Sequence, residues 1–229
     1  MKGTQLALAV ALPDPQDFEH FHTGPNGAVV ATLRTLLDVE DSSSLLLHGP
    51  GGSGKSHLVQ ALLNEAADSG VRAMLLDVQT LTASTRALET VPLLCMDALD
   101  DAPLEDAQAL ALIRLLDGRR QRAVSTLVTA RKPAAQLVLP RPDLATRLSG
   151  FTSFGLRPLS DDDRIGLLRL RASTRGLNLS LEVASYLLKH LPRDVASLLA
   201  AVDTLDRAAL AARRGLTIPL VQETLGLSG

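Results

Sequence analysis

The octapeptide Gly49-Pro50-Gly51-Gly52-Ser53-Gly54-Lys55-Ser56 has the composition and spacing of a phosphate-binding loop, G-x-x-x-x-G-K-[ST]. Glycines at such a turn permit unusual dihedrals and keep side chains away, so that backbone N–H groups converge on an anion. A helix that follows directs its positive end to the same point. In that chemistry Lys55 reaches the β- and γ-phosphates, the Ser56 hydroxyl joins the Mg2+ shell, and His57 lies next to both at the helix start. The implied cofactors are ADP or ATP with Mg2+. Asp97 closes the apolar run Leu93-Leu94-Cys95-Met96, and a carboxylate emerging from a buried strand is a second candidate for the Mg2+. The next residue is Ala98, where a hydrolase of this design commonly has a second acid to polarise water, so intrinsic ATPase activity is expected to be weak. Asp100 and Asp101 are either substitutes for that acid or solvated loop charges.

These residues need elements to hold them. Leu45 to His48 reads as a strand entering the loop, and His57 to Ala67 as a helix leaving it, stopped by Gly70. Upstream, Ala28 to Val39 has helical apolar spacing. Downstream, Ala73 to Leu76, Leu93 to Asp97 and Val124 to Thr129 read as buried strands. Helices are expected around Thr80 to Leu88 and from Leu104 to Leu116. This alternation implies a parallel sheet with helices on its faces. From Ser160 only helices are expected: one opened by Ser160-Asp161-Asp162-Asp163, then Ser180 to His190, Asp194 to Arg213, and Ile218 to Leu225 with Pro219 in its first turn. The fold class is α/β, a P-loop base followed by a small all-helical domain. The division expected is a tail over 1–13, the nucleotide-binding base over 14–158 and the helical part over 159–229.

The chain has 229 residues, 46% hydrophobic but only 2% aromatic, so its core must be built from Leu, Ala and Val and it has little with which to stack nucleobases. A net charge of −2 gives no overall pull toward DNA or an anionic membrane. The single cysteine, Cys95, excludes an internal disulfide, and no Cys/His cluster has zinc-site spacing. The apolar run Leu6 to Leu12 is at the short limit for a secretion signal, so a cytoplasmic location without a membrane span is expected. The cluster Arg119-Arg120-Gln121-Arg122 reads as a solvated loop after Gly118 more readily than as a DNA contact.

The loop, the acidic strand end and the helical C-terminal part resemble the AAA+ ATPases, and within them the DnaA-related proteins, closest to the short regulatory Hda branch. Further markers are Asp17-Phe18-Glu19-His20-Phe21 with Gly24 and Asn26, the stretch Leu139 to Leu148, and Leu216-Thr217-Ile218-Pro219-Leu220-Val221. The resemblance covers nearly the whole chain and makes its two parts an AAA+ base and a lid. On residue type alone Arg147 reads as a surface ion-pairing arginine; the resemblance implies an arginine finger acting on a neighbouring subunit. It likewise implies that Arg193 is the sensor arginine for the chain's own nucleotide. Gln5, Leu6, Leu8 and Val10 are similar to the hexapeptide by which replication proteins dock on the sliding clamp, the β subunit of DNA polymerase.

Three positions depart from the family pattern: Ala98; Arg131, where an acidic or polar sensor is expected; and Val10, where the clamp-docking hexapeptide usually ends in a bulkier Leu or Phe. Thr129 either contacts the phosphate region or closes its strand. No helix-turn-helix module follows the lid, so sequence-specific DNA binding is not expected. The resemblance implies a regulator that binds the clamp, associates with the nucleoid through it, and stimulates hydrolysis of DnaA-bound ATP, with a homo-oligomer as a further expected assembly. A self-sufficient ATPase of helicase-loader type and a DNA-associated adaptor are the alternatives.

Overall fold

The structure, a computed structural model, describes residues 15–38, 42–81, 84–212 and 214–227. The expected clamp-binding residues Gln5, Leu6, Leu8 and Val10 lie outside the described residues. Five strands, β1 (Ser44–His48), β2 (Ala73–Leu76), β3 (Leu93–Met96), β4 (Ser125–Ala130) and β5 (Thr152–Gly155), form one parallel sheet in the order β2-β3-β4-β1-β5. Helices α1 (Gly27–Thr35) and α2 (Lys55–Asp68) cover one face, and α3 (Asp106–Gln121) with α4 (Pro142–Ser149) the other.

Strand periodicity explains the two cores. Leu45 and Leu47 of β1 pack with Leu33, Leu58 and Leu62 on the α1/α2 side, whereas Leu46 packs with Leu112, Leu115, Leu144 and Leu148 on the α3/α4 side. Strands β3 and β4 are buried along their whole length, as a parallel sheet covered on both faces requires. With β4 between β1 and β3, the C-terminal ends of all three meet at one edge, which is where ligands bind in open α/β sheets.

The helical part packs around a separate core that includes Leu168, Leu187, Leu198, Val202, Leu205 and Val221. It comprises α5 (Asp161–Thr174), α6 (Leu181–His190), α7 (Val195–Ala212) and α8 (Ile218–Leu225). At the start of α5, Ser160 Oγ accepts from the Asp163 N–H (3.1 Å) and the Asp163 carboxylate accepts from the Ser160 N–H (2.9 Å), a reciprocal cap. Ser180 caps α6 through the Val183 N–H.

Three expectations are corrected. Among the described residues of the segment Thr80 to Leu88, where a helix is expected, there is no α-helix; single 3-10 turns, Val78–Thr80 and Leu88–Thr90, lie at its two ends. Asp77 accepts from the Gln79 N–H (2.9 Å), a local bond that competes with helix in a Thr- and Ser-rich stretch. Helix α3 runs through Gly118 to Gln121, because that glycine makes room for the Glu89 side chain: a Cβ there would lie 2.6 Å from Glu89 Cδ. Arg119 is therefore not a solvated loop residue. It is 1% exposed and donates to Thr126 Oγ1 and to the carbonyls of Leu88, Val91 and Ser125, joining α3 to β4 and to the turn before β3. Burial pushes its pKa down to about 10, which leaves it cationic at neutral pH.

Candidate nucleotide site

The phosphate-binding loop leaves β1 at His48 and enters α2 at Lys55. Gly52 (φ +72°) and Gly54 (φ +96°) take left-handed conformations. Gly54 is required twice over, since a Cβ there would also meet Phe21 Cε2 at 2.7 Å. Lys55 is buried, and its Nζ donates to the carbonyls of Gly49 (2.7 Å) and Pro50 (3.0 Å). Burial lowers its pKa, while Asp97, Asp100 and Asp101 act in the opposite sense. Ser53 Oγ is buried without a hydrogen-bond partner, and Ser56 is exposed at the head of α2. A buried cation held only by carbonyls, an unpartnered hydroxyl and a helix N-terminus together fit an anion such as a polyphosphate.

A cavity of about 540 Å³ opens beside this loop. Its floor is the loop from Pro50 to Gly54, one wall is the strap Pro15–Thr23, and the other is made by α5 and the start of α7. Several contacts fix the strap: Asn64 Nδ2 donates to the Gln16 carbonyl (2.9 Å), Phe18 is buried beneath Arg34, and His57 Nε2 bonds the Asp17 carbonyl (2.8 Å). His57, expected at the nucleotide, thus lines the cavity but commits its ring nitrogen to the strap.

Arg193 reaches the same cavity from the lid, with its guanidinium 3.1 Å from Asp161, a carboxylate that also accepts from Arg164 (3.0 Å). Arg157, Arg164 and Arg171 add to this basic wall. None of the three belongs to a motif; the fold alone brings them there. Asn26 closes the strap on the sheet: its amide donates to the Arg157 carbonyl (3.2 Å) and accepts from the Arg157 N–H (2.8 Å). In the sequence it stands out only as a family marker.

At the neighbouring strand ends, Thr129 Oγ1 donates to Asp97 Oδ1 in a short bond and accepts from the Ala98 N–H (2.8 Å). Thr129 is fully buried, so it orients Asp97 and shapes the turn. Asp100 accepts from the Arg131 N–H and Asp101 from Arg131 Nε, both at 2.8 Å, so these two acids hold Arg131. Among the described residues there is no cluster of three His, Cys, Asp or Glu that could hold a metal ion; of the two groups expected at Mg2+, Ser56 is exposed at the head of α2 and Asp97 accepts from Thr129 Oγ1.

Arg147 stands apart from this cavity, on α4. It is about one-third exposed (32%), and its Nε and Nη2 donate to Asp117 Oδ1 and Oδ2 at 2.7 Å each, while Nη1 donates to the Asp143 carbonyl (3.2 Å). The ion pair with Asp117 holds its pKa above the ordinary arginine value.

Residues 161–225 match the family model described as Hda, lid domain, and residues 3–139 match that described as IstB-like ATP binding protein. The fold is similar to domain III of the Thermotoga maritima replication initiation protein DnaA, with a TM-score of 0.81 and 16% identity over 94% of this chain and 98% of that one. AMPPCP-bound DnaA from Aquifex aeolicus gives 0.75 and 17%, covering 89% of this chain and 69% of that one. The Thermotoga maritima RuvB Holliday junction branch migration motor gives 0.71 and 16%, covering 93% and 72%. The architecture is therefore a DnaA-like AAA+ fold with a C-terminal helical lid.

Proposed function

The chain belongs to the IstB-like ATP-binding family and is a DnaA-related AAA+ protein with an Hda-type lid, and from that premise we propose that it is a nucleotide-binding negative regulator of replication initiation. In this reading it binds the sliding clamp through Gln5, Leu6, Leu8 and Val10 and presents Arg147 to the ATP held by DnaA. The observation that carries the proposal is the placement of Arg147, surface-accessible and outside the chain's own cavity, on a protein with a DnaA-like fold.

The chain's residues then divide the work. Lys55 and the loop from Gly49 to Ser56 bind the polyphosphate of ADP or ATP, with Ser56 and Asp97 holding Mg2+. Arg193 enters from the lid, so nucleotide contacts in base and lid together favour one angle between them. Ala98 leaves the chain's own site without the usual second acid, which favours binding over turnover. Arg147, delivered in trans, neutralises charge developing on the transferred phosphoryl group, an effect worth ~10³ to 10⁵ in turnover. A bound nucleotide would supply phosphate charge for Lys55 in the base and Arg193 in the lid to hold.

The decisive assay follows hydrolysis of DnaA-bound ATP in the presence of DNA-loaded clamp. The intact protein is expected to stimulate it, and folded Arg147→Ala and Gln5→Ala/Leu8→Ala variants are expected not to. Absence of stimulation by the intact protein would overturn this function in favour of an autonomous ATPase or an adaptor.

A further inference from the structure

Arg147 is not presented freely: the face of its guanidinium best suited to a phosphate is already occupied. The Nε/Nη2 edge, which forms two parallel hydrogen bonds with a carboxylate or a phosphate, is taken by both oxygens of Asp117. A third donor, Nη1, is taken by the Asp143 carbonyl. The carboxylate also cancels locally the positive charge that a finger has to deliver. We propose that Asp117 is a built-in mask for Arg147, a competing anion that must be displaced before the guanidinium can engage a partner's phosphoryl oxygens. The proposal rests on the trans-finger reading and adds a regulator of that same site.

The surrounding structure suits exchange by side-chain rotation. Asp117 lies on α3 two residues before Arg119, whose four hydrogen bonds fix that end of the helix to β4 and to the turn before β3. Helix α4 is in turn fixed to α3 by buried Leu144 and Leu148 and by the Arg141–Asp106 ion pair (2.5 Å). Neither backbone has to move. The masking pair itself is part-exposed, 32% for Arg147 and 44% for Asp117, so solvent screens it, although its bidentate geometry puts it above an ordinary surface ion pair. The mask is strong enough to bias the resting state and weak enough to yield to a polyphosphate carrying several charges.

The test compares the intact chain with Asp117→Asn, Asp117→Glu, Arg147→Ala and Asp117→Asn/Arg147→Ala in the clamp-dependent DnaA assay, with Asp117→Ser as a second neutral variant in case the amide disturbs folding. Asp117→Asn keeps the shape and removes the charge, so the concentration giving half-maximal stimulation is expected to fall about 3- to 5-fold. Asp117→Glu retains the mask, and the double variant is inert, which shows that the gain passes through Arg147. Nitrogen-15 spectra of the isolated chain provide a partner-free readout: the Arg147 Nε–H exchanges slowly in the intact protein and faster in Asp117→Asn. Stimulation equal to or below that of the intact chain in both folded neutral variants would overturn the mask and make Asp117 a positioning residue instead. No stimulation by the intact chain would overturn the finger reading itself, whereas an unprotected Arg147 Nε–H in the intact protein would overturn only the mask.

Discussion

Ala98 places an L side chain beside the nucleotide site at a backbone angle that glycine adopts more easily. Its φ of +55° lies in the left-handed region, where an L side chain crowds its own backbone, and it is held there by the bond from its N–H to Thr129 Oγ1. Leu99 adds a second restraint, donating its N–H to the Thr129 carbonyl (2.9 Å). Removing the Cβ relieves the crowding, offset in part by the greater freedom of glycine in the unfolded chain. Ala98→Gly is therefore expected to stabilise the protein by about 1 kcal/mol, measured by chemical denaturation, with nucleotide affinity little changed. Unchanged or reduced stability would show that the turn carries no strain. The phosphate loop and Asp97 are legible at this scale because their chemistry is local in sequence. The pairings of Arg147 with Asp117 and of Asp100 and Asp101 with Arg131 join residues about 30 positions apart and are created only by the fold.

Among the elements, those with a continuous apolar run or a clear cap could be read directly: β1, β3, β4, α2 and the four lid helices agree closely with expectation. The failures have physical causes. Strand β5, Thr-Ser-Phe-Gly, is a four-residue edge strand whose polar composition gives no strand signal and whose existence depends on pairing with β1. The C-terminal end of α3 was hidden because Gly118 and the arginines after it look like a helix stop followed by a solvated loop. Tertiary contacts override that local signal, since Arg119 supplies hydrogens to three carbonyls that have turned toward the interior. Arg119→Ala leaves those carbonyls and Thr126 Oγ1 without their donor in addition to opening a cavity, and is expected to cost roughly 3–5 kcal/mol. Arg119→Lys should rescue little of this, because one ammonium cannot match the planar fork that spans three directions. Urea denaturation of the two variants checks both statements, and a loss below about 1 kcal/mol in Arg119→Ala would show that water satisfies the carbonyls.

For the whole molecule, the relation of base to lid is set at a joint that no motif announces. The His22 ring, carried by the strap on the base, sits on Gly166 in the middle of α5, where a Cβ would lie 2.5 Å from His22 Cε1. A glycine inside a helix costs about 1 kcal/mol relative to alanine, and here the close approach of the ring accounts for it. Beside it, His22 Nε2 is buried without a hydrogen-bond partner, 3.7 Å from Asp163 Oδ1, and Gly24 (φ +45°) lets the strap pass the same carboxylate. Because His22 also lines the cavity, anything that pushes its ring off α5 changes the space between the phosphate loop and Arg193. Gly166→Ala adds a methyl group at that point while leaving the lid core of Leu168, Leu187 and Leu198 intact. The expected outcome separates two quantities that a simple helix-propensity argument would move together: lid stability stays the same or rises slightly, and nucleotide affinity falls several-fold. Isothermal titration with ADP and with ATP, alongside thermal unfolding of the nucleotide-free protein, measures both. Full affinity in the alanine variant would show that the joint does not set the angle at which Arg193 meets the site, and His22→Ala combined with Gly166→Ala should restore binding if the clash alone is responsible.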